Sequence, residues 1–341
     1  MLFIYSLILF SICSCKKEEE NAPANITIEG VSEIVETGFT INWSTNSTDI
    51  KSILIEISLQ STFEVIDKEI DVVSTTQTSL VINLLLGATN YYYRIKATLN
   101  DGTVVLSEEN TVTTGFKVES VSFTTSDGIT LAGKLKYLES NDGKNPGIIF
   151  MHELNAWGNN WQTSDIVTGL IAQGYVCLIL DFRGHFSSDY VPLPTDYSEV
   201  EAFINNVSND LIASIDFMKS IDHVNAEKLA LVGGSMGGIM AIAGNGYAEV
   251  KTTVALSASQ LGIYSIFPTL KIKSAFFIAG ENDVNMIGTN FATEATSMFN
   301  ITEEPKKLQI ISGSGDHGTN LLSIAGLNQE IIDWIVARID E

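Results

Sequence analysis

The sequence predicts an α/β protein whose larger part is a mostly parallel, doubly wound sheet, preceded by a small all-β module. Three observations point to this. From about residue 117 onward, short continuous apolar runs alternate with stretches of helical period, the pattern of parallel strands joined by crossover helices. Between about residues 22 and 115, segments rich in Ile, Val and Thr alternate at period two and are separated by Gly, Asn, Asp and Ser. One apolar strand, Leu231-Val232, runs into Gly233-Gly234-Ser235-Met236-Gly237-Gly238 and continues as a helix of small residues.

The 341 residues are enough for about two domains, and 45% of them are hydrophobic, so a sizeable core can be buried. The net charge of −22 divides into −9 for residues 1–116 (6 basic, 15 acidic) and −13 for residues 117–341 (13 basic, 26 acidic). A surface acidic throughout repels phosphate backbones, so no nucleic-acid partner is expected. The cysteines are Cys13, Cys15 and Cys177, two in the leader and one inside an apolar strand, which excludes a disulfide framework or a thiolate metal site. With only His152, His185, His223 and His317 available, no metal and no cofactor is expected.

Taken in order, residues 1–14 form an apolar run that stops at Cys15 and Lys16-Lys17-Glu18-Glu19-Glu20. The run is shorter than the roughly 20 residues of a bilayer-spanning helix and matches the h-region of a secretory signal. Its end, Ile12-Cys13-Ser14-Cys15, resembles the lipobox of bacterial lipoproteins. That resemblance implies lipidation at Cys15, a signal peptide over 1–14, a tether over 15–21 and a membrane anchor. Lysine after the cysteine implies sorting to the outer membrane of the cell envelope, on its periplasmic or surface face.

The module at 22–115 begins with the alternating Phe39-Thr40-Ile41-Asn42-Trp43, followed by Ser52-Ile53-Leu54-Ile55-Glu56-Ile57-Ser58 and then Tyr91-Tyr92-Tyr93-Arg94-Ile95. It resembles a fibronectin type III domain, with Trp43 as core tryptophan and Tyr91 at the tyrosine corner. Alternation sets Tyr92 on the face opposite its neighbours, which makes most of the run core rather than a sugar-stacking platform. The expected role is a spacer.

After a linker at Thr113-Thr114-Gly115-Phe116, strands at 118–125 and 129–138 flank Ser126-Asp127-Gly128 as an antiparallel hairpin. Buried strands follow at 147–151, 175–180, 228–232, 252–257, 274–279 and 307–311, with helices at 165–173, 209–220 and 327–339. Such a sheet places its site at the carboxyl ends of the strands. The frame G-x-S-x-G around Ser235 is a strand-to-helix elbow. Gly233 and Gly237 are needed where the two backbones pass too close for a Cβ, and the helix N-terminus favours developing negative charge.

Residues 117–341 resemble an α/β-hydrolase, closest to the dienelactone hydrolase-like and serine-peptidase-like esterases. The resemblance rests on the elbow at Ser235, on Phe276-Phe277-Ile278-Ala279-Gly280-Glu281-Asn282-Asp283, and on Ile311-Ser312-Gly313-Ser314-Gly315-Asp316-His317-Gly318. It implies Ser235 as nucleophile, Asp283 as orienting acid and His317 as general base, in the chain order of that fold. Asp316 and Glu281 are the rival acids. It also implies an oxyanion hole formed by the N–H of Met236 and the N–H of Leu154 in His152-Glu153-Leu154. His152 and the Asp181-Phe182-Arg183-Gly184-His185 turn are then bracing residues, and His223 a surface histidine.

A span of about 16 residues, Ala258–Lys273, between the strands at 252–257 and 274–279 leaves no room for a large lid, so the expected substrate rim lies in the 186–206 loop with Tyr190 and Tyr197, together with Trp157. The expected activity is hydrolysis of a small-molecule or glycan-linked ester by a lipid-anchored serine esterase. Acetylated or feruloylated glycans, other esters and short peptides remain open as substrates. A peptidase of the same fold and a non-catalytic surface binder are the alternatives.

Overall fold

The computed structural model describes residues 23–140, 143–154, 156, 159–263 and 267–340. Cys15 and Trp157 lie outside the described residues. These residues form two compact units. One comprises residues 23–30 with Asn42–Leu80 and Tyr92–Asn110; the other comprises Val31–Ile41, Val81–Tyr91 and the described residues from Thr111 on.

The N-terminal third is all β: β1 Ile26–Val35, β2 Gly38–Thr45, β3 Ile50–Ser58, β4 Lys68–Val72, β5 Ser79–Ile82, β6 Asn90–Leu99, β7 Val104–Leu106 and β8 Asn110–Thr113. The strands pair in the orders β1-β2-β5 and β4-β3-β6-β7, with β8 also beside β6. In β6 the alternation is clean: Tyr91, Tyr93, Ile95 and Ala97 are buried and Tyr92 is not. The Tyr91 hydroxyl oxygen accepts the Leu86 N–H at 3.0 Å, closing a tyrosine corner.

The second sheet has eight strands: β9 Lys117–Thr124, β10 Thr130–Tyr137, β11 Asn145–Met151, β12 Val176–Asp181, β13 Val224–Gly234, β14 Val250–Leu256, β15 Lys273–Gly280 and β16 Glu303–Ile311. Their order is β16-β15-β14-β13-β11-β12-β10-β9. Pairing is antiparallel at β9–β10 and β10–β12 and parallel elsewhere. Residues 176–180 of β12 and 275–279 of β15 are continuous apolar runs because both faces of the sheet are covered. Alternate residues separate the two layers. Ile149, Met151, Leu229, Leu231 and Phe277 join one core with Leu211, Ile215 and Met240, whereas Ile148, Phe150, Ala230, Val232 and Phe276 join another with Ile166, Leu170 and Ile335. Cys177 belongs to the second core, and burial pushes its thiol well above the usual range, so it is chemically inert.

The helices are α1 Asp165–Ala172, α2 Tyr197–Ser220, α3 Met236–Gly244, α4 Phe291–Ile301 and α5 Leu327–Arg338. Ser164, Asp196 and Asn290 cap α1, α2 and α4, each accepting a backbone N–H of the first turn. Two differences from the sequence expectation matter for the site. Helix α2 begins at Tyr197 rather than near residue 209, so the second half of the expected 186–206 loop is helical. Its stripe of Phe203, Ile204, Val207 and Leu211 was masked by the interleaved Asn205, Asn206, Ser208 and Asn209. Helix α4 was not foreseen, since only Phe291, Ala295 and Met298 are buried in a stretch otherwise rich in Thr, Ser and Asn. His223 is not a surface residue: it is half-buried and packs on the Tyr137 ring at 4.4 Å between centroids.

Candidate active site

The sheet order explains why residues distant in sequence meet. Strands β11, β13, β14, β15 and β16 end side by side, with Met151 opposite Gly233, Gly234 opposite Leu256 and Gly280 opposite Ile311. Their C-terminal loops deliver Leu154, Ser235, Ser257, Asp283 and His317 in that spatial order.

Ser235 joins β13 to α3 with φ 51° and ψ −114°, a left-handed conformation that costs a non-glycine residue about 1–3 kcal/mol. The strain is held by Ser235 N–H donating to Leu256 O at 2.8 Å and by the Ile239 N–H donating to Ser235 O at 2.9 Å. A Cβ on Gly233 would stand 2.2 Å from the Gly237 carbonyl, and a Cβ on Gly237 would stand 2.2 Å from Met151 O. Both contacts are with backbone that cannot swing aside, so glycine is required at both ends of the elbow. The N–H groups at the start of α3 have no carbonyl of their own helix to bond and remain available to an anion.

His317 follows β16. Its Nδ1 lies 2.9 and 3.0 Å from the two carboxylate oxygens of Asp283, which is buried. The ring also packs on Phe291, the first residue of α4, at 4.6 Å between centroids. The rival acids are engaged elsewhere. Asp316 accepts from Ser314 Oγ at 2.9 Å, and Glu281 accepts from Gly313 N–H at 2.7 Å and Ser312 Oγ at 3.1 Å. Those bonds hold the Glu281 carboxyl below its ordinary range although it is exposed.

Two residues that sequence reasoning passed over fix the chain just beyond His317. Ser257 Oγ accepts the Gly318 N–H at 3.0 Å, and Glu153 Oε1 accepts the Thr319 N–H at 2.6 Å. Ser257 is wholly buried with φ 50°, a conformation no sequence pattern announces. The Glu153 carboxylate lies where a Cβ on Gly234 or Gly318 would have to go, so glycine at both positions makes room for it.

The loop carrying Leu154 is braced from below. The Phe182 N–H donates to His152 Nε2 at 3.1 Å, which puts the ring proton on Nδ1, and Nδ1 donates to Glu153 O at 2.7 Å. Burial drives this imidazole down to about 3, so it stays neutral. The His185 ring contacts the carbonyl oxygens of Arg183 and Leu154. Arg183 in turn forks onto the buried Asp210 of α2 at 2.7–2.9 Å and onto Asp127 of the β9–β10 turn at 2.7–3.0 Å.

Ser235, Asp283, His317, Met236, Leu154 and Tyr197 all line one cavity of about 820 Å³. Tyr190 is exposed and is not among its lining residues. Phe203, from the same stretch, is buried in the core. Among the described residues there is no cluster of His, Cys, Asp and Glu that could hold a metal ion, and no helix long and apolar enough to cross a membrane.

Residues 135–318, more than half of the chain, match the dienelactone hydrolase family. The chain belongs to that family. The matched span contains Leu154, Ser235, Asp283 and His317, and membership makes a hydrolase the coarse functional assignment. No curated protein matches the sequence. Among solved structures, this dienelactone hydrolase family chain is similar to the α/β hydrolase GrgF from Penicillium sp. sh18, with 17% identity and a TM-score of 0.51, over 66% of this chain and 100% of that one. It is also similar to the esterase Pf2001 from Pyrococcus furiosus, with 16% identity and a TM-score of 0.51, over 66% and 93%. A third likeness is to acetyl xylan esterase 1 from Thermoanaerobacterium sp. JW/SL YS485, with 12% identity and a TM-score of 0.50, over 65% and 83%. At these identities the shared property is the α/β-hydrolase fold.

Proposed function

We propose that the protein is a serine hydrolase of carboxylic esters, with Ser235 as nucleophile, His317 as general base and Asp283 as the acid that orients it. The observation that carries this reading is the buried Asp283 carboxylate on His317 Nδ1, in the same cavity as a serine held at a strained elbow. With Nδ1–H donating to Asp283, Nε2 is left as the acceptor that takes the Ser235 proton as Oγ attacks the ester carbonyl. The oxyanion forms against the N–H groups of Met236 and Leu154. Collapse breaks the bond to the alcohol oxygen, which receives the proton from the imidazolium, and water then repeats the sequence on the acyl-enzyme to release acid and free serine. Membership of the dienelactone hydrolase family supports the ester assignment.

The reading extends to location. Cys15 carries the lipid anchor, 1–14 is the signal peptide, and 22–115 is a fibronectin type III-like spacer that holds the hydrolase, 117–341, off the outer membrane. The strand orders β1-β2-β5 and β4-β3-β6-β7 and the Tyr91 corner support the spacer assignment.

The deciding experiment is covalent labelling of the full chain with a fluorophosphonate, run beside a panel of aryl esters and aminoacyl amides. Labelling that disappears in Ser235→Ala, with esters cleaved faster than amides, is the expected result. Labelling with amides preferred would make the protein a peptidase, and no labelling at all would make it a binder.

A further inference from the structure

Among its described lining residues the cavity has three carboxylates, Glu153, Asp196 and Asp283, one histidine, His317, and no Lys or Arg. The internal residues outside the described set, 141–142, 155, 157–158 and 264–266, include no Lys or Arg either. Asp196 is held ionised by the Ser198 N–H and hydroxyl, which keep its carboxyl below the ordinary range. A substrate carboxylate in this cavity would lose water, meet like charges and find no cationic partner.

The mouth has the opposite character. Directly after Asp283 the chain makes a tight hairpin closed by the Val284–Asn290 bridge. It is pinned by Asn285, whose side-chain oxygen accepts from the Ile287 and Thr289 N–H groups at 3.1 and 2.9 Å. This built loop holds Val284 (51% exposed), Met286 (fully exposed) and Ile287 (55% exposed) on the cavity rim, where the described residues leave them largely bare. Val200 and Ile204 of α2 and Ile239 of α3 line the same cavity. Contiguous apolar side chains left bare around a cavity mark a surface that binds apolar matter, and an unbranched methionine adapts to chains of varied shape.

Resting on the hydrolase reading above, we propose that the substrate is an uncharged ester bearing an apolar chain that lies against the Val284–Ile287 hairpin. Esters that carry a carboxylate are rejected. Met286 and Ile287 are the specificity determinants, since they touch the chain and not the reacting bond.

The test measures kcat/KM for 4-nitrophenyl acetate, butyrate and hexanoate, and for mono-4-nitrophenyl glutarate as the anionic counterpart of the hexanoate. In the parent, kcat/KM rises roughly two- to fourfold per added methylene, the factor expected when each is partly or fully removed from water. The glutarate runs about tenfold or more below the hexanoate, as expected of like charges a few ångströms apart in a partly screened site. The double variant Met286→Ser, Ile287→Ser lowers the hexanoate-to-acetate ratio about fivefold or more. Met286→Lys raises the glutarate-to-hexanoate ratio severalfold. Both positions are exposed, and a circular dichroism spectrum matching the parent's confirms that the variants are folded. A flat chain-length profile, or a glutarate turned over as fast as the hexanoate, in a protein that labels at Ser235 overturns this proposal alone. A protein that does not label overturns the hydrolase reading and this proposal with it.

Discussion

Replacing Gly237 by alanine perturbs the site through one steric contact. The added Cβ would stand 2.2 Å from Met151 O, 2.5 Å from Met151 C and 2.9 Å from His152 O, against an ordinary contact of at least 3.4 Å. Gly237 is not in the left-handed region, so alanine suits its backbone angles and the effect is steric only. To relieve it, α3 must withdraw from the end of β11 by about 1 Å. That movement separates the Met236 N–H, at the start of α3, from the Leu154 N–H, in the loop after β11, and these are the two donors assigned to the oxyanion. A displacement of about 1 Å at reacting groups costs on the order of 100-fold in rate. Because oxyanion contacts are made most fully in the transition state, the loss falls on kcat more than on KM. Overpacking adds a destabilisation of about 1–3 kcal/mol. The assay is kcat and KM on 4-nitrophenyl acetate beside a calorimetric melt, with Gly143→Ala as control, since a Cβ there meets nothing within 4 Å. Parent-like kcat and Tm in Gly237→Ala would refute the close approach of helix and strand on which the elbow rests.

Four other outcomes are expected. Asp283→Asn lowers kcat by about 10⁴-fold, the size of effect seen when a triad acid becomes an amide, whereas Asp316→Asn and Glu281→Gln stay within about threefold; the reverse pattern in steady-state kinetics would reassign the acid. Arg183→Met destabilises the fold by about 3–5 kcal/mol in urea titration, because it strands Asp210, whose carboxyl burial already pushes upward, without its guanidinium; a midpoint unchanged from the parent would contradict this. Arg183 also holds the Asp127 carboxyl down to about 2, so that stabilisation is complete above an ordinary carboxylate value near 3.9 and is lost as pH falls through about 2; Asp127→Asn should therefore flatten the fall in Tm between pH 4 and 2. If Cys15 is the lipid anchor, the expressed protein partitions into a detergent phase and Cys15→Ala releases it to the aqueous phase, and equal partitioning of the two would end the anchor proposal.

The residues that carry the resemblance were legible because their physics is local. The elbow glycines declare themselves through the clash a Cβ would cause, and buried parallel strands read as unbroken apolar runs. The proposed acid is legible in the sequence only through its spacing after β15; in the structure Asp283 lies on His317 Nδ1, whereas Asp316 is turned onto Ser314. Long-range positioning was not legible. Ser257 and Glu153 reach the backbone after His317 across 61 and 166 residues of chain, and neither type is unusual in its local sequence. The start of α2 was hidden because its apolar stripe is interrupted by asparagines, and α4 because three buried residues suffice where a helix only covers one edge of the sheet.

Among the described residues strand β16 pairs with β15 alone, so it is the outermost member of its sheet. Outer strands open at lower free energy than central ones, and a base hung only from such a strand would lose its aim each time the strand frayed. The bonds from Gly318 and Thr319 run instead to residues beyond the ends of β14 and β11, well inside the sheet. His317 is thus moored from both sides of the chain, and breathing of the rim reaches it only through residues 312–316. The proposed general base takes its steadiness from the middle of the molecule, although its strand lies at the margin.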